Sequence, residues 1–192
     1  MRVITGAAKG HRLRSVPGDD TRPITDRVKE ALFSILGGSI VGARVLDLFA
    51  GTGAVGIEAL SRGAAEAVFV DKSPVALRTV RANLQHTSLL DRATVLRANA
   101  FKYLAGPIGT PFDLVYIAPP QYKGLWIDVL YALDARPAWL VQDPEISGIA
   151  IAQIHPREHQ ALSLGSLVEY DQRKYGSTLL CFYCWRSTLG DV

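Results

Sequence analysis

Ala43-Arg44-Val45-Leu46-Asp47-Leu48-Phe49-Ala50-Gly51-Thr52-Gly53-Ala54-Val55-Gly56 passes from an apolar strand through a glycine turn into a helix. Gly51 to Gly56 spell G-x-G-x-x-G, a turn that lets the backbone approach a nucleotide-bearing ligand at a helix N-terminus. Asp71, twenty positions after Gly51, ends the next apolar run and can accept hydrogen bonds from ribose hydroxyls. On the letter of that fingerprint the ligand is NAD. Asp47 argues against it. A carboxylate at the carboxyl end of the strand faces a pyrophosphate unfavourably and suits a cationic amine. S-adenosylmethionine carries such a cation in its methionine part. A glycine turn that serves helix packing alone is the plain alternative.

Outward from this stretch, apolar runs alternate with helical periodicity, the pattern of an α/β fold on a mostly parallel sheet. A helix over 54–62 is closed by Gly63, a strand follows over 67–71, and a helix runs from Pro74 to about Gln85. Further strands are predicted over 93–96, 112–117 and 148–154, and Gly124-Leu125-Trp126 starts a helix in which Trp126 reads as core before base platform. Two last runs, 167–174 and 178–185, meet near Gly176 as a closing hairpin. Ahead of this body, 2–5 and 11–16 could pair as a small hairpin. A helix carrying Val28, Leu32, Ile35 and Leu36 follows, capped by Thr25 and stopped by Gly37-Gly38. The expected division is an appendage over 1–42 and a ligand-binding domain over 43–192.

Charge sets the appendage apart. Residues 1–44 carry a net +4 and the remainder −1, so a cationic patch adjoins a near-neutral body. A polyanion such as nucleic acid would meet Arg12, Arg14, Arg22 and Arg27 there, and solvated surface charge explains the same pattern equally well. Removing the first 22 residues should then leave ligand binding intact. No apolar run approaches the ~20 residues that span a bilayer, and the N-terminus lacks a signal peptide's apolar core, so a cytoplasmic protein is expected. Cys181 and Cys184 lie in an apolar strand and read as structural thiols. His11, His86, His155 and His159 show no ligand spacing, and no metal is expected.

Three further segments narrow the reading: Arg22-Pro23-Ile24-Thr25-Asp26-Arg27-Val28-Lys29-Glu30-Ala31-Leu32-Phe33, Ala118-Pro119-Pro120-Gln121-Tyr122 and Tyr175-Gly176-Ser177-Thr178. With Asp47-Leu48-Phe49-Ala50-Gly51-Thr52-Gly53 they make the whole chain resemble the RsmD family of class I methyltransferases. That resemblance implies a Rossmann-like, seven-stranded sheet and methylation of the exocyclic N2 of a guanine in 16S ribosomal RNA, free or in an assembling small subunit. A monomer is expected. Asp47, Phe49, Gly51, Gly53, Asp71, Lys72, Asn99 and Ala100 would bind S-adenosylmethionine, while Arg12, Arg14, Arg22, Thr25 and Arg27 would contact RNA. In the family's fourth motif an acid or amide, two prolines and an aromatic present the amine and stack on the base. Here Ala118 and Gln121 replace the acid and the aromatic. Pro119 and Pro120 remain, and Tyr122 stands one position late. These changes also fit an RNA-binding relative with altered substrate or lost chemistry, or transfer that relies on backbone carbonyls.

Overall fold

Helices and strands alternate as the apolar runs do in the computed structural model, which describes residues 1–18, 24–143 and 147–186. In chain order they are α1 (Asp26–Leu36), β1 (Arg44–Leu48), α2 (Ala54–Ser61), β2 (Glu66–Asp71), α3 (Pro74–His86) and β3 (Ala93–Arg97). They continue with α4 (Ala100–Ala105), β4 (Leu114–Ile117), α5 (Leu125–Asp134), β5 (Ile149–Ile154), β6 (Leu167–Tyr175) and β7 (Thr178–Trp185). The seven strands are ordered β3-β2-β1-β4-β5-β7-β6. Pairings β1–β2, β2–β3 and β4–β5 are parallel, and β7 runs antiparallel to both β5 and β6. This is a Rossmann-like sheet with a closing hairpin. No described helix is long and apolar enough to cross a membrane. The chain falls into two units, Met1–Asn99 and Ala100–Val192.

In the first unit, β1 and β2 are buried along nearly their whole length, as expected of parallel strands covered by helices. Gly56 sets how closely α2 approaches β2, since a Cβ there would stand 2.3 Å from the Phe69 ring. Ser73 caps α3 by accepting from Ala76 N, with Pro74 in the first turn. Thr25 caps α1, its Oγ1 accepting from Val28 N at 3.3 Å. The buried face of α1 is Val28, Lys29, Leu32, Phe33 and Leu36. Ile35, expected inside, is 41% exposed. The helix is rotated toward Phe33 because Lys29 shares the inner face, where its ammonium meets Glu58 of α2 at 3.2 Å.

The anticipated N-terminal hairpin forms as a short antiparallel pairing around the Arg2–Arg12 bridge, with Val3 N donating to His11 O at 2.9 Å and Leu13 N to Met1 O at 3.2 Å. Its remaining backbone groups find partners on the helices. Ile4 N and Thr5 N donate to the two carboxylate oxygens of Glu58 at 2.8 and 3.0 Å, and Ala8 N donates to Ser61 Oγ at 3.0 Å. Arg14 N donates to Asn83 Oδ1 at 2.8 Å. Gly6 touches α2 so closely that a Cβ would fall 1.8 Å from Ser61 O, and its φ of 87° is one that side chains disfavour. The segment is therefore bonded along its length to α2 and α3.

The second unit builds on β4, buried at all four positions, beside β5 with Ile117 opposite Ala152. Gly124 precedes α5, which buries Trp126, Val129, Leu130 and Leu133, so Trp126 is core. Cys181 and Cys184 are free and buried on β7. Burial pushes the Cys181 thiol well up, with Glu169 adding to the rise, as befits a structural thiol.

Candidate functional site

Both acids singled out in the first unit stand at the carboxyl ends of neighbouring strands, where open α/β sheets bind ligands. Asp71 ties down the glycine turn. Its Oδ2 accepts from Gly51 N at 2.9 Å and its Oδ1 from Ser73 N at 2.8 Å, which fixes the carboxylate while leaving lone pairs for a diol. Phe49 N and Ala50 N both donate to Val70 O at 3.0 Å. Phe49 itself has a φ of 74°, a conformation that costs a non-glycine residue about 1 kcal/mol or more and is found where function holds it.

Asp47 is 2% exposed. Its described hydrogen bond is long, from Gly56 N to Oδ2 at 3.3 Å. Burial pushes its carboxyl up to about 7. The Gly56 bond opposes that rise and the Asp71 charge adds to it. A carboxylate with one long hydrogen bond beside the glycine turn has spare acceptor capacity for a cation, the charge that the methionine part of S-adenosylmethionine carries. Lys72 and Asn99 are exposed, and Ala100 is the buried first residue of α4.

In the second unit, Ala118 to Tyr122 leave the end of β4. Pro119 is buried, while Ala118, Pro120 and Gln121 are partly exposed. Tyr122 is 65% exposed and held at a φ of 60°. An aromatic that is both solvent-facing and in the left-handed region needs its surroundings to keep it there. They do so through Glu158 Oε1, which accepts from Tyr122 N at 2.6 Å. Glu158 was not anticipated from the sequence. The signal was present in His155-Pro156-Arg157-Glu158, a proline-initiated turn with an acid at its third position, as in a capping box.

Arg12, Arg14 and Arg27 are exposed, and buried Leu13 lies between the first two, so the arginines share the outward face. Thr25 is committed to capping α1. Arg22 lies outside the described residues. Asp26 accepts from Arg2 N at 3.1 Å and faces Arg2 Nε at 3.8 Å. Sequence reading also missed Asn83, whose buried amide donates to Thr52 O of the glycine turn at 2.9 Å and to Arg14 O at 3.1 Å.

His159, Glu169 and Cys181 bring potential metal-ligand atoms within 4.8 Å of one another, a grouping that no sequence spacing announces. Each has a protein partner. Glu169 Oε2 lies 3.1 Å from His159 Nε2, and the Cys181 thiol hydrogen-bonds Glu169.

A family model described as Conserved hypothetical protein 95 matches residues 1–184. YlbH of Bacillus subtilis, whose name assigns it provisionally to the rRNA methyltransferases, is 40% identical over 186 residues, 95% of this chain and 98% of that protein. Ribosomal RNA small subunit methyltransferase D of Escherichia coli K12 is 38% identical over 143 residues, 74% of this chain and 71% of its own. Among solved structures, YhhF of Escherichia coli, provisionally titled a methyltransferase, matches with a TM-score of 0.83 at 31% identity, covering 96% of this chain and 97% of that one.

Proposed function

The chain belongs to the Conserved hypothetical protein 95 family of RsmD-type methyltransferases, and from that premise we propose that it transfers a methyl group from S-adenosylmethionine to the exocyclic N2 of a guanine in 16S ribosomal RNA. The observation that carries the reading is Asp47, a buried carboxylate behind the glycine turn whose chemistry suits a cation and opposes a pyrophosphate. An NAD-dependent reading rests on the glycine spacing with Asp71 and finds no support in the family. The site of action on this reading is the cytoplasm.

When bound, S-adenosylmethionine supplies a methyl group on a positively charged sulfur. Asp47 compensates the positive charge of the methionine part, and Asp71 accepts from the ribose hydroxyls while its other lone pairs hold Gly51 and Ser73. Exposed Arg12, Arg14 and Arg27 position the RNA through its phosphates without reading its sequence. Exocyclic N2 is a poor nucleophile because its lone pair is delocalised into the ring. The Pro119 carbonyl is the local acceptor that orients it, and Tyr122 offers the extruded base a stacking face.

Ala118 and Gln121 favour a second reading, an RNA-binding relative with altered substrate or lost chemistry. One experiment separates the two: labelled S-adenosylmethionine is offered with naked 16S rRNA and with small subunits lacking the modification, and any methylated base is mapped. Label on a guanine N2 supports transfer. Tight cofactor binding with no label on either substrate supports the second reading.

A further inference from the structure

The turn after β5 is built as a support for Tyr122. Glu158 uses both carboxylate oxygens on backbone N–H groups, Oε1 on Tyr122 at 2.6 Å and Oε2 on His155 at 3.1 Å. The same carboxylate thus fixes two residues whose rings are neighbours. His155 and Tyr122 have ring centroids 5.4 Å apart with planes 40° from parallel. The His155 Nδ1 accepts from Arg157 N at 3.2 Å, which sets the imidazole's orientation.

The turn is itself anchored on its far side. His159 lies over the ring of buried Trp126, centroids 6.4 Å apart and planes 14° from parallel, and its Nε2 meets the Glu169 carboxylate of β6 at 3.1 Å. A continuous set of contacts therefore runs from β6 through His159 and Glu158 to the exposed Tyr122 ring. A tyrosine that served only as surface would need neither a left-handed φ nor a carboxylate to hold it.

We propose that His155 and Tyr122 together form a two-ring platform for an extruded purine base, and that Glu158 is the positioning residue that sets it. The inference rests on the reading that a base is presented at Pro119-Pro120. Stacking on paired rings tolerates many bases and favours the larger ones, so the platform supplies affinity and alignment while the Pro119 carbonyl addresses the amine. It also replaces the aromatic that Gln121 lacks, with Tyr122 displaced by one position and steadied from outside the motif.

The test uses the full chain, labelled S-adenosylmethionine and small ribosomal subunits lacking the modification, with calorimetric cofactor affinity measured alongside. His155→Ala and Glu158→Ala should each lower kcat/KM for the particle about tenfold or more, the size of one weakened base–aromatic stack, with cofactor affinity unchanged. His155→Phe should restore most of what His155→Ala loses, because a ring face is what the site needs. The His155 pair decides the matter even if Glu158→Ala fails to fold. Wild-type turnover in His155→Ala overturns the platform alone, as does a His155→Phe no better than alanine. A wild type that transfers no methyl group overturns the methyltransferase reading and the platform with it.

Discussion

On the proposed reading, in which Asp47 faces the cofactor's cation, its burial makes cofactor binding sensitive to pH. Its carboxyl is pushed up to about 7 in the folded chain, against 3.8 ordinarily, so between those values the folded state holds a proton that the unfolded state has released. Stability from this group is fully present below the unfolded value and is lost as pH rises through about 7. A bound cation favours the ionised form and reverses the cost. Affinity for S-adenosylmethionine should therefore rise from about pH 6 to about pH 8 in calorimetry, and Asp47→Asn should flatten that dependence. Asp71→Ala removes the acceptor for the diol and frees Gly51 N, and should weaken the cofactor by ~1.5 to 3 kcal/mol in the same measurement. The positions of both residues, at strand ends flanking a glycine turn, were legible in the sequence. Glu158 and Asn83 were not, because each acts on backbone atoms far away in the chain, 36 residues for Glu158 and 69 for Asn83.

Strands and helices followed their apolar patterns closely, and the two short N-terminal runs pair as anticipated, Val3 N on His11 O and Leu13 N on Met1 O. Hidden from the sequence was the docking of the same segment on α2 and α3, through Glu58, Ser61 and Asn83. Nothing in local sequence reveals a carboxylate waiting on α2. The same blindness hid Lys29, a charged residue on an apolar helix face that reads as a flaw until Glu58 is placed opposite. Glu58 is buried with four donors: Ile4 N, Thr5 N, Lys29 Nζ and, at 2.8 Å, Arg62 Nε. Burial lowers the Lys29 ammonium's pKa, and the Glu58 charge opposes that shift. Removing one partner of such a pair leaves the other charge uncompensated, so Glu58→Leu should cost ~3 to 5 kcal/mol in denaturant unfolding. Lys29→Met should cost less, since Arg62 still meets the carboxylate.

For the molecule as a whole, the cationic segment and the glycine turn belong to one unit, and that changes how RNA docking has to be tested. Deleting 22 residues would remove the backbone partners that the segment gives Glu58, Ser61 and Asn83, so the clean separation expected from sequence gives way to damage in the unit that carries the glycine turn. Charge removal is the sharper probe. Arg12→Gln with Arg14→Gln should leave cofactor affinity intact and reduce the salt slope of RNA binding by about 2, one per lost phosphate contact.

The chemistry turns on whether anything stands in for the acid that Ala118 lacks. The acids to test are Asp26, which is engaged by the backbone and guanidinium of Arg2, and the exposed Asp143. With the Pro119 carbonyl as the local acceptor, one oriented acceptor is missing, which typically costs ~10²-fold in rate. Wild type should turn over slowly, and Ala118→Asp should raise the single-turnover rate by about tenfold or more on the same RNA particle with unchanged cofactor affinity. Asp26→Ala should leave that rate within about threefold of wild type. The opposite pattern, a slower Ala118→Asp and an inactive Asp26→Ala, would mean that a second carboxylate already faces the amine, since two such groups close together raise one pKa and spoil the acceptor.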